Sequence, residues 1–293
     1  MANLGSGSLF KKFRKENFSP RLFLSFLLLH LKIDLPLNLI FDAETGTRLR
    51  LDASTATHKI FRGKFDPVLN KAVFKNFVVD KATVIDVGAN IGMYSLLAAH
   101  LVGDGGRVFS FEPTRESFNS LLKNIKLNDL TNITPVMSAV SDSEGRVNFL
   151  NNKRSKEQNR LATAEVKEEK NEVEEVQAVR LDNFLKFNNI DGVDFLKIDV
   201  EGAELLVMRS LGEKISSVST IYFECRKGGY SNFGYDEKKV FAYLRDNNFV
   251  IASPFLTNDG KLAWNTLTDT DDTTEHAGDL LALNKSHHSG GDK

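Results

Sequence analysis

Val84-Ile85-Asp86-Val87-Gly88-Ala89-Asn90-Ile91-Gly92 carries an apolar strand into a glycine turn, and Met93-Tyr94-Ser95-Leu96-Leu97-Ala98-Ala99 continues it as a helix. Gly88 allows backbone geometry closed to other residues, which lets a ligand approach main-chain N–H groups at the helix start. In an open α/β sheet, ligands bind beyond the carboxyl ends of such strands. The next strand ends at Phe111-Glu112-Pro113, and Glu112, twenty residues after Gly92, can accept hydrogen bonds from both hydroxyls of a ribose. To this point any adenosine-type ligand fits.

The rest of the chain sorts itself around that turn. Short β-rich runs at Thr83–Val87, Arg107–Phe111, Ile133–Val140, Phe195–Val200, Thr220–Glu224, Phe249–Ala252 and Leu280–Leu283 alternate with helical stretches at 92–101, 114–127, 202–211 and 236–247. This alternation predicts an α/β fold, a mostly parallel sheet with helices on both faces. The last two runs, parted by a polar turn-rich stretch, suit an antiparallel edge. Ahead of the first strand, Phe41 to Leu51 alternates around Thr45-Gly46-Thr47 as a β-hairpin, and 67–79 has helical spacing. The domain is therefore placed at 41–283, after an N-terminal basic and apolar helical extension at 1–40 and before a disordered tail at 284–293. Within it, 151–177 holds 13 charged residues in 27, a run expected to be a solvated excursion.

Composition narrows the function. With 38 Lys+Arg against 39 Asp+Glu the net charge is −1, so the global basic field of a nucleic-acid-coating protein is absent and no nucleic-acid partner is expected. The single cysteine, Cys225, excludes an internal disulfide and a Cys-built zinc site and fits a reducing, cytoplasmic setting. Residues 1–33 hold six basic side chains and one acid, and Leu22 to Leu31 has eight apolar residues in ten. That run is about half the ~20 residues that span a bilayer, and no small-x-small cleavage pair follows it. It reads as a helix packed on the domain or as an amphipathic helix, within residues 9–33, making peripheral contact with an anionic membrane surface.

Side-chain chemistry then sharpens the ligand. The dinucleotide fingerprint places a glycine where this chain has Asn90, whose side chain obstructs a pyrophosphate. Asp86 adds negative charge beside the turn, which suits an ammonium or sulfonium group; S-adenosylmethionine has both and has no phosphate. A second acidic turn closes Asp194-Phe195-Leu196-Lys197-Ile198-Asp199-Val200-Glu201-Gly202-Ala203-Glu204. Lys197, Asp199 and Glu201 share one strand face until the turn, so a buried Lys197 calls for one of these acids as its partner. Asp199 and Glu201 fall where a cofactor's charged centre and an acceptor meet. Glu201 reads alternatively as a cap on the helix from Gly202. The site is expected to work without metal, although clustered acids are also a set that holds Mg²⁺.

Asp86-Val87-Gly88-Ala89-Asn90-Ile91-Gly92, Phe111-Glu112-Pro113, Asn124 through Asn128, Ala139-Val140-Ser141-Asp142 and Lys197-Ile198-Asp199-Val200-Glu201-Gly202-Ala203-Glu204 together resemble the FkbM family of S-adenosylmethionine-dependent methyltransferases. The resemblance implies the class I methyltransferase, Rossmann-like sheet of seven strands with an antiparallel edge, and O-methylation of hydroxyls on sugars or other small, glycan-linked acceptors. Carried over, it implies that Asp86, Gly88, Ala89, Asn90 and Gly92 form the turn holding the methionine end of the cofactor. It implies further that Glu112 binds the ribose and that Ser138 and Ala139 flank the adenine. Asp199 and Glu201 are implied at the methyl group, one of them taking the acceptor's proton. Glu224-Cys225-Arg226-Lys227-Gly228 departs from relatives that carry a histidine there. A cofactor-binding scaffold without catalysis and an NAD-dependent oxidoreductase are the competing readings.

Overall fold

The computed structural model describes residues 37–51, 67–152, 160–162, 171–226, 228–268 and 278–288. The expected N-terminal helix and its membrane contact lie outside these residues. No helix among the described residues is long and apolar enough to cross a membrane.

In chain order the elements are a hairpin of β1 (Leu37–Asp42) and β2 (Thr47–Leu51), α1 (Pro67–Phe77), β3 (Thr83–Val87), α2 (Met93–Val102), β4 (Arg107–Phe111) and α3 (Arg115–Leu127). There follow β5 (Ile133–Val136), β6 (Ala139–Val140), β7 (Gly145–Asn152), β8 (Arg160–Leu161), β9 (Asn171–Val179) and α4 (Leu181–Phe187). The chain closes with β10 (Val193–Ile198), α5 (Glu204–Arg209), β11 (Val218–Cys225), α6 (Glu237–Asp246), β12 (Phe249–Leu256), β13 (Leu262–Thr266) and β14 (Gly278–Asn284).

The main sheet runs β13-β12-β14-β11-β10-β3-β4-β5. Its centre, β11-β10-β3-β4-β5, is parallel, and β14 enters antiparallel between β11 and β12. The expected antiparallel edge is thus three strands wide, making eight strands instead of seven. The eighth, β13, is the return arm of a hairpin with β12, turned at Gly260, whose φ is +79°. Both faces of the sheet are covered. Leu196, Ile198, Ile221, Phe223 and Phe241 pack on one side; Phe74, Leu96, Leu97, Phe195 and Tyr222 pack on the other, where the Phe74 ring lies 5.0 Å from Tyr94 and 4.9 Å from Phe195. Much of the chain's phenylalanine therefore sits in this core.

Three sequence expectations change. The run 133–140 is not one strand. Pro135, which cannot donate to a ladder, sits on the edge strand β5, and Ala139–Val140 pairs with β9 in a separate sheet ordered β6-β9-β7-β8. The charged run 151–177 is in part this second sheet. Its described residues include the end of β7, β8 and most of β9, where exposed Val173 and Glu175 alternate with buried Val176 and Ala178 next to Phe149 and Leu161. Charge hid a period-2 pattern with one buried face. Finally, Asn284 to His288, assigned to a disordered tail, is held: the Asn284 amide donates to Val218 O at 3.0 Å, and His288 Nε2 lies 3.1 Å from Thr220 Oγ1.

The hairpin expected from the alternation is present as β1 and β2, and it is fastened to the glycine-turn side of the domain. Arg48 N donates to Asn128 Oδ1 at 2.8 Å and Arg50 N to Asn124 Oδ1 at 2.7 Å, while Asn124 Nδ2 donates to Ile91 O at 2.8 Å. Asn124 of α3 and Asn128 at its C-terminal cap thereby satisfy the open edge of β2 and fasten it to the turn.

Candidate active site

The carboxyl ends of β3, β4, β10 and β11 and the amino end of β14 form one rim. At its centre Gly88 has φ +79°, Asn90 +51° and Gly92 +91°. A Cβ on Gly88 would lie 1.9 Å from the Asp199 carbonyl oxygen, and one on Gly92 would lie 2.4 Å from Leu121 Cδ1. These glycines are required by the close packing of β3 on β10 and of α2 on α3. The turn's amides also have protein partners. Gly88 N and Ala89 N both donate to Phe111 O, at 3.0 and 2.9 Å, Asn90 N donates to Glu112 Oε2 at 3.0 Å, and Gly92 N to Ala89 O at 2.8 Å. A phosphate-binding turn presents such N–H groups to its anion. This one commits them internally and surrounds itself with carboxylates, a donor set that fits a cationic ligand without phosphate.

Asp86 lies beneath the turn, 1% exposed. Ser95 Oγ donates to its Oδ2 at 2.6 Å and Lys197 Nζ to its Oδ1 at 3.1 Å. Asp86 is thus paired inside the protein with Lys197, which also stands 3.5 Å from Asp199 Oδ2. Lys197 is itself buried, as its strand position predicted. Burial pulls its pKa down, but Asp86 and Asp199 outweigh that and hold it above the ordinary lysine value. Glu112 is buried: Oε1 accepts from Thr114 N at 3.0 Å and Thr114 Oγ1 at 2.5 Å, and Oε2 fixes Asn90. Its burial raises its pKa, against the lowering pull of those hydrogen bonds. Ser138 and Ala139 are buried beside it, where Glu112 N and Ser138 N share Val136 O as acceptor.

On the β10 and β11 side, carboxylate oxygens of Asp199, Glu201 and Glu224 all lie within 4.8 Å of one another. Arg226 makes this tolerable: Nη1 is 2.6 Å from Glu201 Oε2 and Nη2 is 2.9 Å from Glu224 Oε1. Burial, then the charge of Asp199, raises the Glu224 pKa, and Arg226 opposes them. Arg226 is thus an ion-pair bridge; Lys227 lies outside the described residues. Cys225 is buried, as expected of an apolar residue at the sheet end.

Glu201 does not cap the following helix. It occupies the left-handed region at φ +57°, followed by Gly202 at +105°, where a Cβ would meet Gly229 O at 2.4 Å. The helix starts later, at Glu204, whose Oε1 accepts from Val200 N at 3.3 Å and Gly202 N at 3.2 Å. Glu204 Oε2 is buried with no hydrogen-bond partner among the described residues. Burial, the largest influence, pushes its pKa up to about 8, aided by Glu224. Tyr235 pins the same turn from the loop after β11, donating to Gly202 O at 2.6 Å.

Two further polar residues escaped the sequence reading. Asp279 is opposite Glu224 in the β11–β14 register, and Asn70 of α1 donates to it at 3.0 Å. Antiparallel register leaves no local signal that a residue at the start of one strand faces the end of another.

The family model described as methyltransferase FkbM domain matches residues 86–251. Methyltransferase 1 of Beauveria bassiana is 28% identical over 153 residues, covering 46% of this chain and 60% of that protein. Methyltransferase sdnD of Sordaria araneosa is 28% identical over 158 residues, covering 45% and 61%. The hexuronic acid methyltransferase AglP of Haloferax volcanii is 26% identical over 146 residues, covering 49% and 55%. The chain thus spans about three-fifths of the length of these relatives. The crystal structure of methyltransferase FkbM from Methylobacillus flagellatus aligns with a TM-score of 0.44 and 16% identity, over 70% of this chain and 44% of that one.

Proposed function

The chain belongs to the FkbM methyltransferase family, and from that premise we propose that it methylates a hydroxyl of a sugar or another small, glycan-linked acceptor. S-adenosylmethionine, when bound, supplies a methyl group activated by its sulfonium charge. The observation that carries the reading is the acidic rim: Glu112, Asp199, Glu201 and Glu224 line a turn in which the amides of Gly88, Ala89, Asn90 and Gly92 already have protein acceptors. That arrangement favours a cationic cofactor over a nicotinamide dinucleotide. A relative named for hexuronic acid supports a sugar as acceptor.

Each residue then has a task. Glu112 and Asn90 fix the turn and take the ribose end. Lys197 and Arg226 pair with Asp199 and Glu201, so the carboxylates of the rim are held in place and pre-oriented. Asp199 and Glu201 accept hydrogen bonds from the acceptor and hold its oxygen in line for attack, an orientation effect of the kind that contributes up to about 7–11 kcal/mol to a barrier.

The test is kinetic. Asp199→Asn and Glu201→Gln should each lower kcat well beyond any change in S-adenosylhomocysteine affinity. Unchanged turnover in both would refute the assignment. Full cofactor affinity with no transfer to any hydroxylated acceptor would instead favour a scaffold.

A further inference from the structure

Four carboxylates share the acceptor end of the rim, and three of them are ion-paired: Asp199 to Lys197, Glu201 and Glu224 to Arg226. In each of these three a cation's N–H groups already engage a carboxylate oxygen. Asp279 has no ion pair among the described residues. Its hydrogen-bond partners are neutral donors, Asn70 Nδ2 at 3.0 Å and the Tyr222 hydroxyl at 3.2 Å, both to Oδ2. Tyr222 also lies 3.0 Å from Asn70 Oδ1, closing the triangle. Oδ1 of Asp279 accepts nothing among the described residues.

Register places this free oxygen's carboxyl at the rim. Tyr222 pairs with Lys197 on one side and Leu281 on the other. Two residues on, along the same face, Asp199, Glu224 and Asp279 follow in a row. Asp279 is half-buried, so it is reachable from the rim. The groups facing it are Tyr222 and Glu224 from β11, Lys197 and Asp199 from β10, Tyr94 from α2 and Asn70 from α1; the facing part of β12, Phe249–Ala252, has none that ionises. Burial first, then the charge of Asp199, raise the Asp279 pKa, while Asn70, Lys197 and Tyr222 lower it by less.

Building on the reading above, we propose that Asp279 is the carboxylate that takes the acceptor's proton, with Asn70 and Tyr222 orienting it. The acceptor O–H bond breaks and its proton passes to Asp279 Oδ1. The oxygen's electron pair forms the new bond to the methyl carbon, and the C–S electron pair stays on sulfur, leaving a neutral thioether. The proton then leaves to solvent. Asp199, held by Lys197, orients the hydroxyl.

Asp279→Asn keeps the shape and the contacts to Asn70 and Tyr222. It should lose about 100-fold or more in kcat, with S-adenosylhomocysteine affinity unchanged by calorimetry. Two sign-opposed shifts identify the base. Tyr222→Phe removes a donor that lowers the Asp279 pKa, so the acid limb of kcat/KM moves to higher pH; Asp199→Asn removes the charge that raises it, so the limb moves to lower pH. Asp279→Asn retaining more than a tenth of turnover, or an acid limb unmoved in both variants, overturns the proposal. Independently of turnover, carboxyl ¹³C titration of the free chain, assigned by the resonance missing in Asp279→Asn, should show Asp279 titrating above the ordinary aspartate range. An ordinary midpoint overturns the proposal even if no acceptor is ever methylated, whereas a raised midpoint without any transfer refutes only the hydroxyl-methylation reading.

Discussion

Glu204→Gln should make the protein more stable in mild alkali while changing it little in acid. Glu204 is 1% exposed, Oε1 holds two backbone amides of the acidic turn, and Oε2 has no partner among the described residues. Its pKa in the folded chain is pushed up to about 8 from 4.5. The folded state therefore binds this proton more tightly than the unfolded state does. The contribution is full below pH 4.5, is lost progressively between 4.5 and about 8, and is flat above. At 1.36 kcal/mol per pH unit the loss has a ceiling of about 5 kcal/mol. Glutamine mimics the neutral acid and cannot lose a proton, so the stability difference between variant and wild type should grow by up to that amount from pH 5 to pH 9. With roughly 2 °C per kcal/mol for a chain of this size, Tm curves should diverge by about 10 °C at most. The assay is urea unfolding and thermal melting of both proteins at unit pH steps. Parallel curves across this window would refute the reasoning and would mean that Glu204 is ionised in the fold.

Two other outcomes follow from packing and charge. Gly88→Ala drives a methyl to 1.9 Å from Asp199 O at φ +79°, so it should cost about 3 kcal/mol or more, read as a lowered urea midpoint; a loss under 1 kcal/mol would show that β10 can retreat freely. Lys197→Met strands the 1%-exposed Asp86 charge and should cost about 3–5 kcal/mol. Adding Asp86→Asn should restore part of that loss, and strict additivity of the two would contradict a direct pair.

Local pattern and long-range register account for what was legible. The turn at Gly88, the hairpin around Gly46 and the buried pairing of Lys197 are local statements, or consequences of desolvation, and all could be read from residue types. The place of β14 between β11 and β12 could not, because the pairing of Glu224 with Asp279 joins residues 55 apart without any intervening motif. For the same reason Asp279 escaped, while Asp199 and Glu201 announced themselves beside a glycine. Glu204 was visible as a letter, but its burial depends on Tyr235 and the loop after β11. In β9 the glutamates Glu172, Glu174 and Glu175 masked an alternation whose buried apolar half is only Val176 and Ala178. The glycine at 88, read as room for a ligand, proved to be room for the Asp199 carbonyl.

The central claim, a site built for S-adenosylmethionine, meets its most direct test in calorimetric titration of the full chain with S-adenosylhomocysteine, NAD⁺ and NADH, repeated on Glu112→Ala. The account predicts binding of S-adenosylhomocysteine alone, weakened about tenfold or more by the substitution, which removes the ribose acceptor and frees Asn90. Binding of a nicotinamide cofactor in its place, or no binding of S-adenosylhomocysteine at all, would contradict it.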